Sequence, residues 1–162
     1  MSLDPLTYRR AVGRFVTGVT VVTTRELGVD SAMTANSFTS VSLSPLLVLV
    51  SVDKTARFHD AVAASGIVGI SVLSADQEDL ARWFATRGRP VDARAAGFPH
   101  HDGEVTGAVL FDGSLLTLEG RVRSTHDAGD HTLVVAEVVS LATPRADGVP
   151  LVYYAGGYRS LT

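Results

Sequence analysis

Residues 115–142 read LLTLEGRVRSTHDAGDHTLVVAEVVSLA, and this stretch decides the fold class. Leu116, Leu118, Gly120 and Val122 alternate with Thr117, Glu119, Arg121 and Arg123, the period of a strand with two unlike faces. A second apolar run, HTLVVAEVVSLA at 131–142, follows after HDAGD alone. A connection that short makes a hairpin, so these two strands are antiparallel.

Working outward, more strands appear. TGVTVVTT at 17–24 is dense in β-branched residues, which suit a pleated surface better than a helix. Pro45 opens LLVLVSV, a continuous apolar run expected to be a strand buried on both faces. IVGISVL at 67–73 is another strand, and LVYY before Gly156-Gly157 is expected to be the last short one. The helices are few and brief. Asp4 caps a helix with Pro5 at its first position, ending near Arg14. Thr55 is the expected cap of a second, with Phe58, Ala61 and Val62 on its inner face and Ser65-Gly66 as its stop. Ser74 and Gln77 fit a capping box for a third, whose apolar stripe is Leu80, Trp83 and Phe84. Residues 87–107, polar and rich in Pro and Gly, read as a long functional loop. Seven or so strands with two or three minor helices do not alternate as strand and helix. The pattern predicts an antiparallel barrel or sandwich with added helices, one domain over residues 1–162.

Composition narrows the function. The chain has 162 residues, 46% hydrophobic and 19% charged, with a net charge of −3. That balance excludes disorder and lacks the basic footprint of a nucleic-acid binder. There is no cysteine, so thiolate chemistry and cysteine metal sites are excluded. MSLDPLTYRR carries no apolar leader, and the stretch around Leu46–Val50 is too short to span a bilayer. A cytoplasmic protein with no membrane or nucleic-acid partner is expected.

No dinucleotide-binding glycine fingerprint, phosphate-binding P-loop, hydrolase elbow or H-E-x-x-H is present. His100, His101 and Asp102 lie together, yet in a polar loop without a third spaced ligand, so a solvated loop is the better reading. TANSFTSVS at 34–42 offers five hydroxyls and one amide in nine residues. Such groups orient a polar heterocycle, and an ordinary edge strand explains them equally well. SVDKT at 51–55 precedes a helix start, where N–H groups favour phosphate, and holds the sole lysine, Lys54, among thirteen arginines; taken alone, an ordinary helix start with Asp, Thr and a charged residue is the better reading. His131, in GDHT, stands at a strand entrance, where a ligand partner and a satisfied structural histidine are equally good readings, and YYAGGY at 153–158 supplies aromatic faces that are more often plain core.

Together, AVGRFVTGVTVVTT (11–24), MTANSFTSVSLSPLLVLVSVDK (33–54), SG (65–66), GDHT (129–132) and PLVYYAGGY (150–158) resemble, in order, the flavin reductase family that serves two-component flavin monooxygenases. The resemblance covers essentially the whole chain. It implies a mainly β fold with short helices: a split β-barrel of Greek-key, FMN-binding type, assembled as a homodimer. It implies hydride transfer from NADH or NADPH to FMN or FAD, with reduced flavin passing to a partner monooxygenase. Carried over by position, Thr34, Ala35, Asn36, Ser37, Ser40, Val41 and Ser42 would line the flavin ring and ribityl chain. Ser51, Asp53, Lys54 and Thr55 would hold the phosphate end. His131 would lie near both rings as the catalytic side chain, and Tyr154 or Tyr158 near the nicotinamide. Phe84 and Arg89 would approach the flavin of the neighbouring subunit. A split-barrel oxidase that retains its flavin, or a non-catalytic flavin- or haem-binding module, would share the hydroxyl-rich segment.

Overall fold

The computed structural model describes residues 2–161. The elements run α1 (Pro5–Val12), β1 (Thr17–Gly18), β2 (Thr20–Glu26), β3 (Val29–Ala35), β4 (Thr39–Leu43), β5 (Leu46–Asp53), α2 (Arg57–Ser65) and β6 (Ile67–Val72). A 3-10 turn (Ala75–Gln77) leads into α3 (Glu78–Ala85), and a second one (Ala93–Ala96) precedes β7 (His100–Asp102). Then come β8 (Val109–Phe111), β9 (Leu116–Ala128), β10 (His131–Ala142), β11 (Leu151–Tyr154) and β12 (Gly157–Ser160). The last strand is therefore β12, which pairs back on β11 across the Ala155-Gly156 turn. Among the described residues no helix is long and apolar enough to cross a membrane.

Seven strands form one antiparallel sheet in the order β3-β2-β6-β9-β10-β5-β4. Its hydrogen bonding stops at β3 on one side and β4 on the other, so the sheet is open rather than a closed barrel. The β9–β10 hairpin at its centre turns on Gly129-Asp130, with Ala128 opposite His131. Smaller sheets, β1-β11-β12 and β7-β8, pack beside it.

Burial corrects one strand reading. In β5 only Val48, Val50 and Val52 are buried, while Leu47, Leu49 and Ser51 are half-exposed. Cover on both faces falls instead to inner strands such as β2, where Thr20 to Thr24 are all buried, and β6, where Val68 to Ser71 are. The inward threonines of β2 survive there because each hydroxyl finds a carbonyl: Thr20 donates to Ala35 at 2.7 Å, Thr23 to Val109 at 2.6 Å and Thr24 to Ile67 at 2.8 Å. One core gathers Val22, Val50, Val52, Phe58, Val62, Ile70 and Val134, and another Val21, Leu73, Leu80, Phe84, Phe111 and Leu151. Neighbouring β2 residues thus feed two clusters.

The helices follow their expected faces with three changes. α1 ends at Val12, short of Arg14, and buries no residue. In α3 the buried side is Leu80, Ala81 and Phe84, and Trp83 is 39% exposed. Thr55 does not cap α2; Ala56 holds that position with no side-chain bond. The capping box of Ser74 and Gln77 is present, at the head of the 3-10 turn.

Residues 87–107 are structured. Asp30 on β3, its side chain 2% exposed, pairs with Arg25 at 2.8 Å and with Arg94 at 2.5 Å, and both arginines also reach Asp102. His100 Nδ1 lies 2.7 Å from the Phe98 carbonyl and His101 Nδ1 2.6 Å from Asp112, so both rings are engaged by protein. This segment packs on β3 as a wall, not as a free loop.

Candidate active site

A cavity of about 520 Å³ opens between the C-terminal half of β3, the end of β5, the start of α2, residues 84–91 and His131. That size suits one cofactor-sized ligand. Thr34, Ala35, Asn36, Ser37, Ser51, Asp53, Thr55, Phe84, Arg89 and His131 all line it. Segments far apart in sequence converge here, with β3 and β5 coming from opposite flanks of the open sheet.

Several lining groups are already oriented by the protein. The Ser37 hydroxyl accepts from the Ser51 N–H at 3.0 Å and donates to the Ser51 carbonyl at 3.2 Å, tying β5 to the second residue after β3. Thr34 donates its hydroxyl to the Ala81 carbonyl at 2.6 Å, leaving its oxygen to accept from a ligand. Asp53 accepts from both the N–H and the hydroxyl of Thr55 at 2.7 Å each. Those bonds from Thr55, with the nearby His131 and Arg87, hold the Asp53 carboxyl below its ordinary range. Asp53 thereby occupies an N–H that the sequence suggested for phosphate.

The cations of the cavity are arginines. Arg57, Arg87 and Arg89 line it. Arg57 donates to the Arg89 carbonyl at 2.7 Å, and Arg89 donates to the Ala32 carbonyl while its guanidinium lies 5.3 Å over the Phe84 ring. Burial, with the Arg57 charge beside it, lowers the Arg89 pKa from its ordinary value. Its Nε is buried without a partner. His131 is half-exposed, with Nδ1 2.7 Å from the Asp130 carboxylate.

Six expected residues lie outside the cavity. Ser40, Val41 and Ser42 are on the edge strand β4, where a bulge interrupts the pairing with β5. Lys54 turns its side chain to Asp127 and the Gly129 carbonyl. Tyr154 ends β11, and Tyr158 packs edge-on against Tyr153 with Arg82 at 5.0 Å from its ring. Burial, with Tyr153 beside it, raises the Tyr158 pKa. Phe84 and Arg89, expected to reach a neighbouring subunit's ligand, line the cavity of their own chain. Arg57 and Arg87 were missed, although Arg87-Gly88-Arg89, with Gly88 at φ +78°, was a legible sign of a cationic turn.

The donor set fits a flavin: hydroxyls and an amide for a polar ring, aromatic faces, and three arginines for a phosphate. A sequence model of the flavin reductase like domain matches residues 12–162. The chain is 43% identical over 167 residues to an NADH-dependent flavin reductase of Rhodococcus sp, covering 98% of this chain and 88% of that protein. It is 36% identical to the flavin-dependent monooxygenase reductase subunit HsaB of Mycobacterium tuberculosis, over 98% of this chain and 83% of the relative. Among solved structures, the Streptomyces globisporus NADH:FAD oxidoreductase SgcE6 in complex with NAD and FAD fragments superposes with a TM-score of 0.91 at 38% identity, covering 100% of this chain and 97% of that one.

Proposed function

The chain belongs to the flavin reductase like family, and on that premise we propose that it is an NAD(P)H-dependent flavin reductase. It transfers a hydride from NADH or NADPH to FMN or FAD, and the reduced flavin is delivered to a partner flavin-dependent monooxygenase. The observation that carries this is the composition of one cavity: hydroxyls and an amide from the two flanks of the sheet meet Phe84 and three arginines there.

A bound flavin would supply the hydride acceptor. The protein's task is pose. Thr34, Ala35, Asn36 and Ser37 orient the ring edge, with Ser37 fixed by Ser51. Arg57, Arg87 and Arg89 draw the anionic end, away from the Asp53–Thr55 turn that is already satisfied. His131 lines the cavity with Nδ1 engaged by Asp130, and its Nε2 would serve the nicotinamide. No protein group serves as an obligatory acid or base in this scheme.

The working unit is a homodimer of one-domain chains in the cytoplasm. Supporting the dimer, α1 buries nothing of its own, and Leu6, Val12, Phe15 and Val16 around it are exposed. Sedimentation equilibrium reads this directly, and a monomer at micromolar concentration overturns it.

The experiment for the activity is NADH and NADPH oxidation with FMN or FAD titrated into the purified protein. Turnover that saturates in added flavin supports the reading. Turnover that ignores added flavin, from a protein that purifies yellow, replaces it with an enzyme that retains its flavin.

A further inference from the structure

We propose that Lys54, the sole lysine of the chain, is a positioning residue for His131 and makes no contact with the ligand; this rests on the reductase reading of the cavity. Asp53 and Thr55, its two neighbours, line the cavity, and Lys54 does not. Its backbone N–H donates to the Asp130 carbonyl at 3.0 Å. Its Nζ donates to the Gly129 carbonyl at 2.6 Å and pairs with the Asp127 carboxylate. One residue at the β5–α2 junction therefore holds the β9–β10 turn at three points.

His131 is the first residue after that turn. It sits opposite Ala128 within the hairpin and opposite Asp53 across the sheet. The backbone atoms Lys54 grips belong to Gly129, in the left-handed region at φ +67°, and to Asp130, whose carboxylate bonds His131 Nδ1. Displacing the turn moves the imidazole and its Asp130 partner together. An ammonium suits this task because its donors diverge toward a carbonyl and a carboxylate, whereas a guanidinium presents a flat fork. The pair is an exposed one, with Asp127 81% exposed, so it adds little to global stability and the variants fold.

The test compares Lys54→Met, Lys54→Arg and Asp127→Asn with the natural chain, reading kcat, the nicotinamide KM, and the dissociation constants of FMN and of riboflavin, which lacks the phosphate. In Lys54→Met, kcat is expected to fall about fivefold, as a small misplacement of a reacting-site group does. FMN and riboflavin affinities keep their natural ratio. Lys54→Arg recovers part of the rate, Asp127→Asn shows a weaker form of the defect, and combining Lys54→Met with Asp127→Asn costs no more than Lys54→Met alone. A selective loss of FMN over riboflavin binding in Lys54→Met makes Lys54 a phosphate contact and overturns the proposal. An unchanged kcat, or full additivity of the two substitutions, overturns it as well. A natural chain that fails to reduce added flavin refutes the reductase reading itself, before any variant is compared.

Discussion

Gly103 lies directly against the carboxyl group of Glu119: a Cβ there would sit 2.3 Å from Glu119 Cδ and Oε2. Glu119 is 2% exposed, on the central strand β9, where a carboxylate is costly unless fully bonded. It is bonded. The Thr106 N–H at 2.5 Å, the Thr106 hydroxyl at 2.6 Å and the Val105 N–H at 3.1 Å all donate to its Oε2. Residues 103–106 wrap around it, and only glycine permits the approach.

Gly103→Ala is accordingly expected to destabilise the fold by about 1–3 kcal/mol, because either the turn or the carboxylate must move. Thermal unfolding measures it. A midpoint equal to that of the natural chain contradicts the packing.

Acid stability follows from the same group. Burial acts to raise the Glu119 pKa, but the hydrogen bonds from Thr106 and Val105 outweigh it and hold the carboxyl below its ordinary value. Asp102, beside Arg94, is lowered likewise. A group whose folded pKa is depressed contributes stability that is complete above its unfolded value, about 4 for these carboxyls, and that disappears as pH falls through the folded value. The melting midpoint should stay level from neutrality to about pH 5 and drop below about pH 4. Glu119→Gln should lower the neutral plateau and shallow the acid limb; an acid limb of unchanged steepness counts against Glu119.

Arg57 and Arg87 line the cavity and are proposed to draw an anionic ligand. Arg87→Met should weaken FMN binding by about tenfold while riboflavin binding changes little, since a charge-assisted bond to phosphate is lost; Arg57→Met should do the same and also frees the Arg89 carbonyl that Arg57 holds. Fluorescence titration separates the two ligands. Equal losses for both would move these arginines to the ring.

His131→Ala should slow hydride transfer or raise the nicotinamide KM by several-fold and leave flavin binding intact. Stopped-flow reduction of bound flavin reads the first and steady-state kinetics the second. Natural values for both would remove His131 from the site.

Local physics was legible in the sequence, and long-range contact was not. The β9–β10 hairpin, the Asp4 cap, the Ser74–Gln77 box and the Phe58–Ala61–Val62 face all depend on neighbours within a few residues, and all are present. β5 read as doubly buried from its apolar run, but double cover falls to inner strands such as β2, whose threonines are satisfied by carbonyls from β3, β8 and β6. Residues 87–107 looked loose because Arg94 finds Asp30 only across 64 residues. Lys54 looked like a phosphate partner for the same reason: Asp127, which engages it, lies 73 residues away. The candidate site was legible at the strand ends and the residues just after them, in Thr34 to Ser37 and in Ser51, Asp53 and Thr55, and illegible where arginines arrive from α2 and from the turn after α3.

The central claim is that flavin reduced in this cavity leaves the protein. It is tested by placing the protein, NADH and FMN or FAD anaerobically on one side of a membrane that passes flavin but not protein, with cytochrome c on the other. The account predicts cytochrome c reduction well above the rate without protein, rising with added flavin. NADH consumed on the protein side with cytochrome c left oxidised would contradict it.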